Sequence, residues 1–451
     1  MQTQRDHVHA HQFMMGRLGS ALVEGDPSSA EIPGRRALNG LVLSLLLVVL
    51  VVGGFAVYGW IVPGGSSAFR RPGVILVEKE TGTRYVYLDG MLHPTPNLTS
   101  AMLIQGSSAT VKLVSRASLA DLPRGRVLGL AAAPESVPAD ALTAGPWLTC
   151  LPGSVVDHPG DDLGVNLDPG ASVAPLPTNR FAVVRSLTGT LFLLALGERF
   201  AITDDAVLVA LGASTARVVP APKMWLDWIP AGPALAPAEI PGSGTTGAKI
   251  GGHVYPIGTL FRQQSDAGAE QFFVLRSDGL APLDRTEFLF AKAKATDDPV
   301  RLQASALVGA PKSADRSLTR RLPDLSGLTW QDPGDLVLCL RQAPVSAQAV
   351  SSQLGYARRA QSGVDRAGRA SAIVRPGTGM AVVPIPKIKG REPRVSFISD
   401  EGIAYPLADS DTASALKLNP AAAVPYPEKL LAAMRRGPML SRPAVAGSAG
   451  G

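Results

Sequence analysis

The sequence predicts a single-span membrane protein whose larger part is mainly β/α+β, built of four repeats of roughly 60 residues around a central β domain. Three observations carry this. From Ala37 to Val62 no residue is charged. The 26 residues 210–235, laid without a gap over 415–440, match at ten positions, among them Pro220/Pro425, Pro222/Pro427, Gly232/Gly437, Pro233/Pro438 and Leu235/Leu440. Finally, 47 Gly and 38 Pro in 451 residues interrupt long helices and favour short strands joined by turns.

Residues 1–36 hold a helix with Val8, His11, Met15, Leu18 and Leu22 on one stripe, stopped by the Asp, Pro and Ser of "EGDPSSAEIPG". A lone amphipathic helix of this length is marginal in water, so it is expected to dock on a partner or the membrane surface. The span, 37–62, contains "LVLSLLLVVLVVGGFAVYGWIV", long enough at 1.5 Å per residue for a hydrocarbon core of about 30 Å. Tyr58 and Trp60 suit the membrane interface. A secretory signal would start nearer the terminus and end in a small-x-small cleavage site, so the span reads as an uncleaved anchor. Arg35-Arg36 before it and Arg70-Arg71 after it leave its orientation undecided by charge.

Beyond the span, "LDGMLHPTPNLTSAMLI" (88–104), "SDGLAPLDRTEFLFA" (277–291) and "SDEGIAYPLADSDTASAL" (399–416) share a strand, an acidic residue with Gly, a Pro and a short helix. "LLALGERFAITDDAVLVAL" (193–211) follows the plan with Ile202 in place of the proline. "LPRGRVLGL" (122–130) lies over "IPAGPALAP" (229–237), placing Gly125 on Gly232. The repeats are expected at 73–130, 179–237, 253–316 and 392–440. Gly125, Gly232, Pro233, Gly437 and Pro438 are expected at equivalent turns, each following proline fixing its own φ. Residues 131–178 and 317–391 form the two parts of the central domain, with strands such as "DLVLCL" and "MAVVPIPKI". Residues 238–252 read as a linker and 441–451 as a disordered tail.

The net charge of +6 is scattered, without clustered cations and stacking aromatics, which excludes a nucleic-acid surface. The 32 Arg against 11 Lys, with abundant Ala, suggest a high-GC genome as in actinobacteria. The only cysteines, Cys150 and Cys339, stand in no CxxC and near no His cluster, so zinc is not expected. They fit two buried thiols or one long-range disulfide outside the cytoplasm. "GSGTTGAKI" (242–250) approaches a phosphate loop through Gly242, Gly247 and Lys249. Its lysine falls one position late, however, and Ile250 stands where the Mg²⁺-binding hydroxyl belongs. "GAPKS" (309–313) is weaker still. His7, His9 and His11 lack a carboxylate or thiol partner, and His93, His158 and His253 sit in Gly/Pro-rich stretches or beside a repeat proline. "NLT" (97–99) matches a glycosylation acceptor but is discounted in a bacterial chain. No catalytic, metal or cofactor site is expected.

"RDHVHAHQFMMGRLGSALVEGDP" (5–27), followed by Arg35-Arg36 and one span, resembles the start of the EccB family of actinobacterial type VII secretion. The four repeats, the lone cysteine after "PWLT" (146–149) and the second in "LVLCLRQ" (336–342) are also similar to that family, from Arg5 to Leu440. The resemblance implies a cytoplasmic N-terminus and an elongated extracytoplasmic part whose central domain is closed by a Cys150–Cys339 disulfide. It implies a structural scaffold, homo-oligomeric in a membrane complex with an EccC-type motor ATPase, EccD, EccE and the mycosin protease. The alternative is a membrane-anchored hydrolase or ATPase of the same system, the one case in which ATP would bind.

Overall fold

The computed structural model describes residues 4–23, 25, 35–61, 71–154, 162–265, 268–387 and 394–447. Two compact units are distinguished. The smaller comprises Met1–Arg71 with Glu78–Gly82 and Leu113–Leu122. It contains helix α1 (Gln4–Val23) and helix α2 (Arg35–Ile61). Within α2, the 23 residues Ala37–Gly59 form a helix long and apolar enough to cross a membrane, with none of its surface buried. In α1, Val8, Met15, Leu18 and Leu22 are exposed. The junction expected before the membrane lies, Gly25 apart, outside the described residues. Glu78 in the same unit is buried, and Arg116 Nε reaches its Oε1 at 2.7 Å.

Beyond α2 the chain carries four sheets of closely similar connectivity. The first has Val74–Glu78, Arg84–Leu88, Met91–Thr95 and Thr110–Val114. The second has Arg180–Ser186, Leu191–Ala195, Glu198–Ile202 and Val219–Ala221, with Thr329–Trp330 added beside Arg180 and Phe181. The third has Leu260–Gln264, Glu270–Arg276, Gly279–Leu283 and Val300–Arg301. The fourth has Met380–Ile385, Ser396–Ile398, Ile403–Pro406, Val424–Pro427 and Arg435–Arg436. In each, three consecutive strands form a meander and a later strand returns beside the first. A helix follows the third strand. Asn97, Asp284 and Asp409 cap it by accepting the N–H of Ser100, Glu287 and Thr412, satisfying donors a helix start leaves open.

A second device recurs at the outer edge of the third strand. The backbone N–H groups of Gly125, Gly232, Ser313 and Gly437 donate to the carbonyls of Leu92, Arg199, Leu280 and Ala404 at 2.9, 2.9, 3.0 and 3.0 Å. Three residues on, Leu128, Leu235 and Leu440 donate to the carbonyls of Pro94, Ala201 and Pro406. This register corrects the sequence reading: Ala201, not Ile202, stands where the other third strands have proline. Proline is tolerated there because an edge strand can spare one N–H.

The three glycines also differ from expectation. None lies in the left-handed region, and they occupy short bridging segments instead of tight turns. What they supply is room. A Cβ on Gly125 would lie 2.3 Å from the His93 ring, one on Gly232 2.2 Å from the Phe200 ring, and one on Gly437 2.1 Å from the Tyr405 ring. In the third sheet the same two places hold Ser313 and Ala281, so the larger residue stands opposite the smaller.

Four boundary expectations fail. Thr329–Trp330, assigned from sequence to the central domain at 317–391, pairs with Arg180 and Phe181 and so joins the second sheet. Met380–Ile385, assigned from sequence to the central domain, pairs with Ser396–Ile398 and Val424–Pro427 and is therefore the first strand of the fourth sheet. The expected linker 238–252 contains Thr246–Ile250, which forms a hairpin with His253–Pro256 and buries Ile250 among Phe261 and Leu275. Residues Arg442–Gly447, placed in the tail, form a helix whose Val445 is fully buried and whose Arg442 donates to the Leu103 carbonyl.

The remaining sheet, called the disulfide sheet below, has six strands in the order Ala372–Ile373, Gly164–Asn166, Trp147–Cys150, Val337–Ser346, Ala349–Ala357 and Ala174–Pro175. One core joins its Trp147, Leu340 and Tyr356 to Val184 and Trp225 of the second sheet region and to Val382 and Tyr426 of the fourth. The first sheet packs on the fourth through Ile75, Val86, Phe397 and Tyr405, and the second meets Phe290 beside the third.

Gly437→Ala should cost about 1–3 kcal/mol, because a buried ring cannot swing away. In a Tyr405→Ala background the same change should cost far less. A double-mutant cycle of thermal unfolding checks this; additive losses would mean that ring and glycine are not coupled.

Candidate functional site

Among the described residues, the functional feature built most deeply into the fold is the seam between Trp147–Cys150 and Val337–Ser346. All four residues of the first strand are buried. The register sets Cys339 opposite Cys150, Leu340 opposite Thr149, Arg341 opposite Leu148 and Gln342 opposite Trp147. Since side chains alternate between faces, Cys150 and Cys339 share one face while Trp147, Thr149, Leu340 and Gln342 share the other. The two cysteines form a disulfide across a separation of 189 residues, both fully buried with Leu148, Val337, Ala357 and Val364.

The opposite face is a closed polar network in an apolar setting. Gln342 Oε1 accepts from Trp147 Nε1 and Thr149 Oγ1, each at 3.1 Å, and Gln342 Nε2 donates to Ser352 Oγ at 3.2 Å. Trp225 Nε1 donates to the Thr149 carbonyl at 3.0 Å, and the Trp147 and Tyr426 rings lie 4.8 Å apart. A buried glutamine left unpaired would cost its full desolvation, so these bonds fix both the strand register and the neighbours on this face. Burial pushes the Tyr426 hydroxyl above its ordinary pKa. Sequence reasoning missed this network, although the alternation of Trp147 and Thr149 inside "PWLT" was its signal.

Beside the seam, Asp227 meets Lys223 at 2.7 Å, Lys429 at 3.6 Å and Arg199 at 3.7 Å. Burial alone would raise its pKa, but Lys223, then Lys429 and Arg199, outweigh burial and hold it below the usual carboxylate value. Near the third sheet, the buried Glu287 takes both Arg321 Nε and Nη2, at 2.5 and 2.8 Å. Both carboxylates have partners that account for their placement.

The other sequence candidates do not converge. Gly242 sits in a turn at φ 76°, Gly247 packs against the Tyr255 carbonyl, and Lys249 is exposed on a strand opposite Val254. A phosphate cradle needs backbone N–H groups gathered at a helix start, whereas here they run along a hairpin. Ser313 donates to Asp278. His7, His9 and His11 are exposed on α1, His253 is exposed on the hairpin, and His158 lies outside the described residues. His93 Nδ1 donates to the Arg126 carbonyl at 2.9 Å. Asn97 is buried, and its amide donates to the Leu130 carbonyl at 2.8 Å, so a helix cap explains the "NLT" match. Among the described residues no group of three His, Cys, Asp or Glu could hold a metal ion.

A membrane-length helix and a mainly β body knit by one buried disulfide define a membrane component with a large folded part. The family model for the type VII secretion system ESX-1 transport TM domain B matches residues 1–449, and the chain belongs to that family, EccB. It is thus a component of type VII secretion machinery.

It is 26% identical to the ESX-1 secretion system ATPase EccB1 of Mycobacterium tuberculosis, over 98% of this chain and 94% of that protein. To the ESX-3 secretion system ATPase EccB3 of Mycolicibacterium smegmatis it is 28% identical, over 97% and 89%. Among solved structures, the EccB3 dimer from the ESX-3 core complex aligns with TM-score 0.57 at 26% identity, over 83% of this chain and all of that one. A chain of the intact ESX-5 inner membrane complex aligns with TM-score 0.59 at 22% identity, over 99% and 95%, a likeness of fold.

By loop-closure scaling, tying a loop of 189 residues contributes about 5 kcal/mol. Replacing both cysteines by alanine should therefore lower the melting temperature strongly. In the folded wild type, neither thiol should react with an alkylating reagent without reductant. Ready alkylation of Cys150 and Cys339, or an unchanged melting temperature in the double variant, would contradict this.

Proposed function

We propose that this EccB-family protein is a structural scaffold of a type VII secretion membrane complex, with its N-terminus in the cytoplasm and residues 63–451 outside. The observation that carries the reading is the Cys150–Cys339 bond, because a disulfide persists in an oxidising compartment and is rare in the cytosol. The four similar sheets are read as copies of one ancestral unit, supported by their shared strand order, their capping residues and the edge bond at Gly125, Gly232, Ser313 and Gly437. Each copy is too small to bury an adequate core alone, and together they suit contacts between subunits more than turnover. The partners of this reading are an EccC-type motor ATPase, EccD, EccE, the mycosin protease and further copies of the chain. Relatives described as an inner membrane complex and as a dimer support an assembly of that kind.

A reporter that works only outside the cytoplasm should be active when fused after Leu440, and mild-detergent purification should bring down the named partners. Activity of a cytoplasm-only reporter at the same place would reverse the orientation.

That the relatives are named secretion system ATPases favours a second reading, an ATPase. On the scaffold reading Lys249→Ala leaves any ATP turnover of the purified protein unaltered, since Lys249 projects from a hairpin strand. A clear loss of turnover would restore the phosphate loop.

A further inference from the structure

One edge of the disulfide sheet stops short of its length. Ala349–Ala357 is covered on its outer side by Ala174–Pro175, which pairs only with Gly355 and Tyr356. The last bond there runs from the Leu176 N–H to the Leu354 carbonyl, at 3.0 Å. Pro177, lacking an N–H, then leads the chain away. By the two-residue period, the backbone polar groups of Ser352 and Val350 face this same vacated lane, which holds no strand of the sheet. Residues 342–353, "QAPVSAQAVSSQ", contain no charge, so the edge lacks the lysines that usually guard against strand addition.

A cavity of about 400 Å³ opens where the lane begins, lined by Leu176, Pro177, Ile229, Leu340 and Leu354 with Leu196 and Glu198 at the second-sheet side. Leu196 is half exposed and held at φ 55°, at a turn position that the first sheet fills with Asp89 at φ 49°. A left-handed leucine is strained where asparagine or aspartate would not be, and such strain persists where the surroundings use it. Glu198 forms none of the ion pairs found among the described residues.

We propose that this lane and cavity receive an extended peptide segment of a partner protein. The segment adds as a strand along Val350–Ser352, places an aliphatic side chain in the cavity and sets a basic side chain against Glu198. Main-chain bonds supply affinity and the alternate side chains specificity, as in strand addition generally. A cationic residue is favoured over a second copy's "AVSSQ" edge, which brings no charge to Glu198. The inference goes beyond the scaffold reading and holds for either orientation of the body.

The test uses the full chain in mild detergent and a labelled seven-residue peptide of threonine and valine, with leucine and lysine two residues apart so that both face the cavity. Fluorescence anisotropy should show saturable binding below about 1 mM. Ser352→Pro and Glu198→Gln should each weaken it about tenfold, as should exchanging the peptide's lysine for glutamate. Because Ser352→Pro can disturb folding, Leu196→Asn is the second variant: it should raise the melting temperature by suiting the turn while weakening the peptide severalfold. No binding at about 1 mM, or equal binding by wild type and Leu196→Asn, overturns the proposal. So does light scattering in which Ser352→Pro converts a dimer to a monomer, since the lane would then belong to a second copy.

Discussion

The rest of the fold depends on the pairing of Trp147–Cys150 with Val337–Ser346. These strands come from opposite ends of a long insertion, so their contact carries a large loop-closure cost before any burial repays it. The seam meets that cost in two ways. On one face the sulfur–sulfur bond restricts the unfolded chain; on the other, Gln342 binds Trp147, Thr149 and Ser352 while Trp225 donates to the Thr149 carbonyl. The second face matters for specificity. A one-residue slip would exchange the faces and leave the Gln342 amide among the residues around the cysteines.

The seam also explains how the larger unit is shared among sheets. The loop between the cysteines contains the second and third sheets, and the first and fourth lie outside it in sequence. Trp225 and Tyr426 arrive from the two sides and meet the same face, so the disulfide sheet is buried by both halves of the chain. No four-stranded sheet here has to be stable alone. For a membrane component whose partners are met through its surface, a body whose core is pooled in this way holds its faces in fixed relation.

What was legible in the sequence follows from which signals are local. The membrane helix was legible because an uncharged run of that length has one common explanation. The correspondence of Gly232 with Gly437 and of Pro220 with Pro425 was legible because edge glycines and prolines answer backbone demands that composition alone does not produce. Strand allegiance was not. Met380–Ile385 is an apolar run that any sheet could accept, and only its pairing with Ser396–Ile398 assigns it to the fourth. The hairpin Thr246–Pro256 was hidden because Gly, Ser and Thr read as a flexible joint until Ile250 is seen among Phe261 and Leu275. Ala201 was missed by one position because its role is carried by a carbonyl, which every residue has. The polar network at Gln342 showed in the sequence only as the alternation of Trp147 and Thr149, since Gln342 lies nearly two hundred residues from both.

The contact of a bare backbone with a ring has a consequence for how such sheets can change over time. At Gly437 any side chain collides with Tyr405, and removing the Tyr405 ring first leaves a hole. Each single step is penalised, so the pair is locked against gradual drift and moves only by two nearly simultaneous replacements or by passage through a weakened intermediate. On the proposal that the sheets are copies of one unit, Ser313 with Ala281 is the far side of such a crossing, present in one sheet and not in the other three. Related sheets in one chain would then diverge by jumps at these paired places and smoothly elsewhere. If the four sheets are copies of one unit, as proposed, the paired places are the most durable record of that descent.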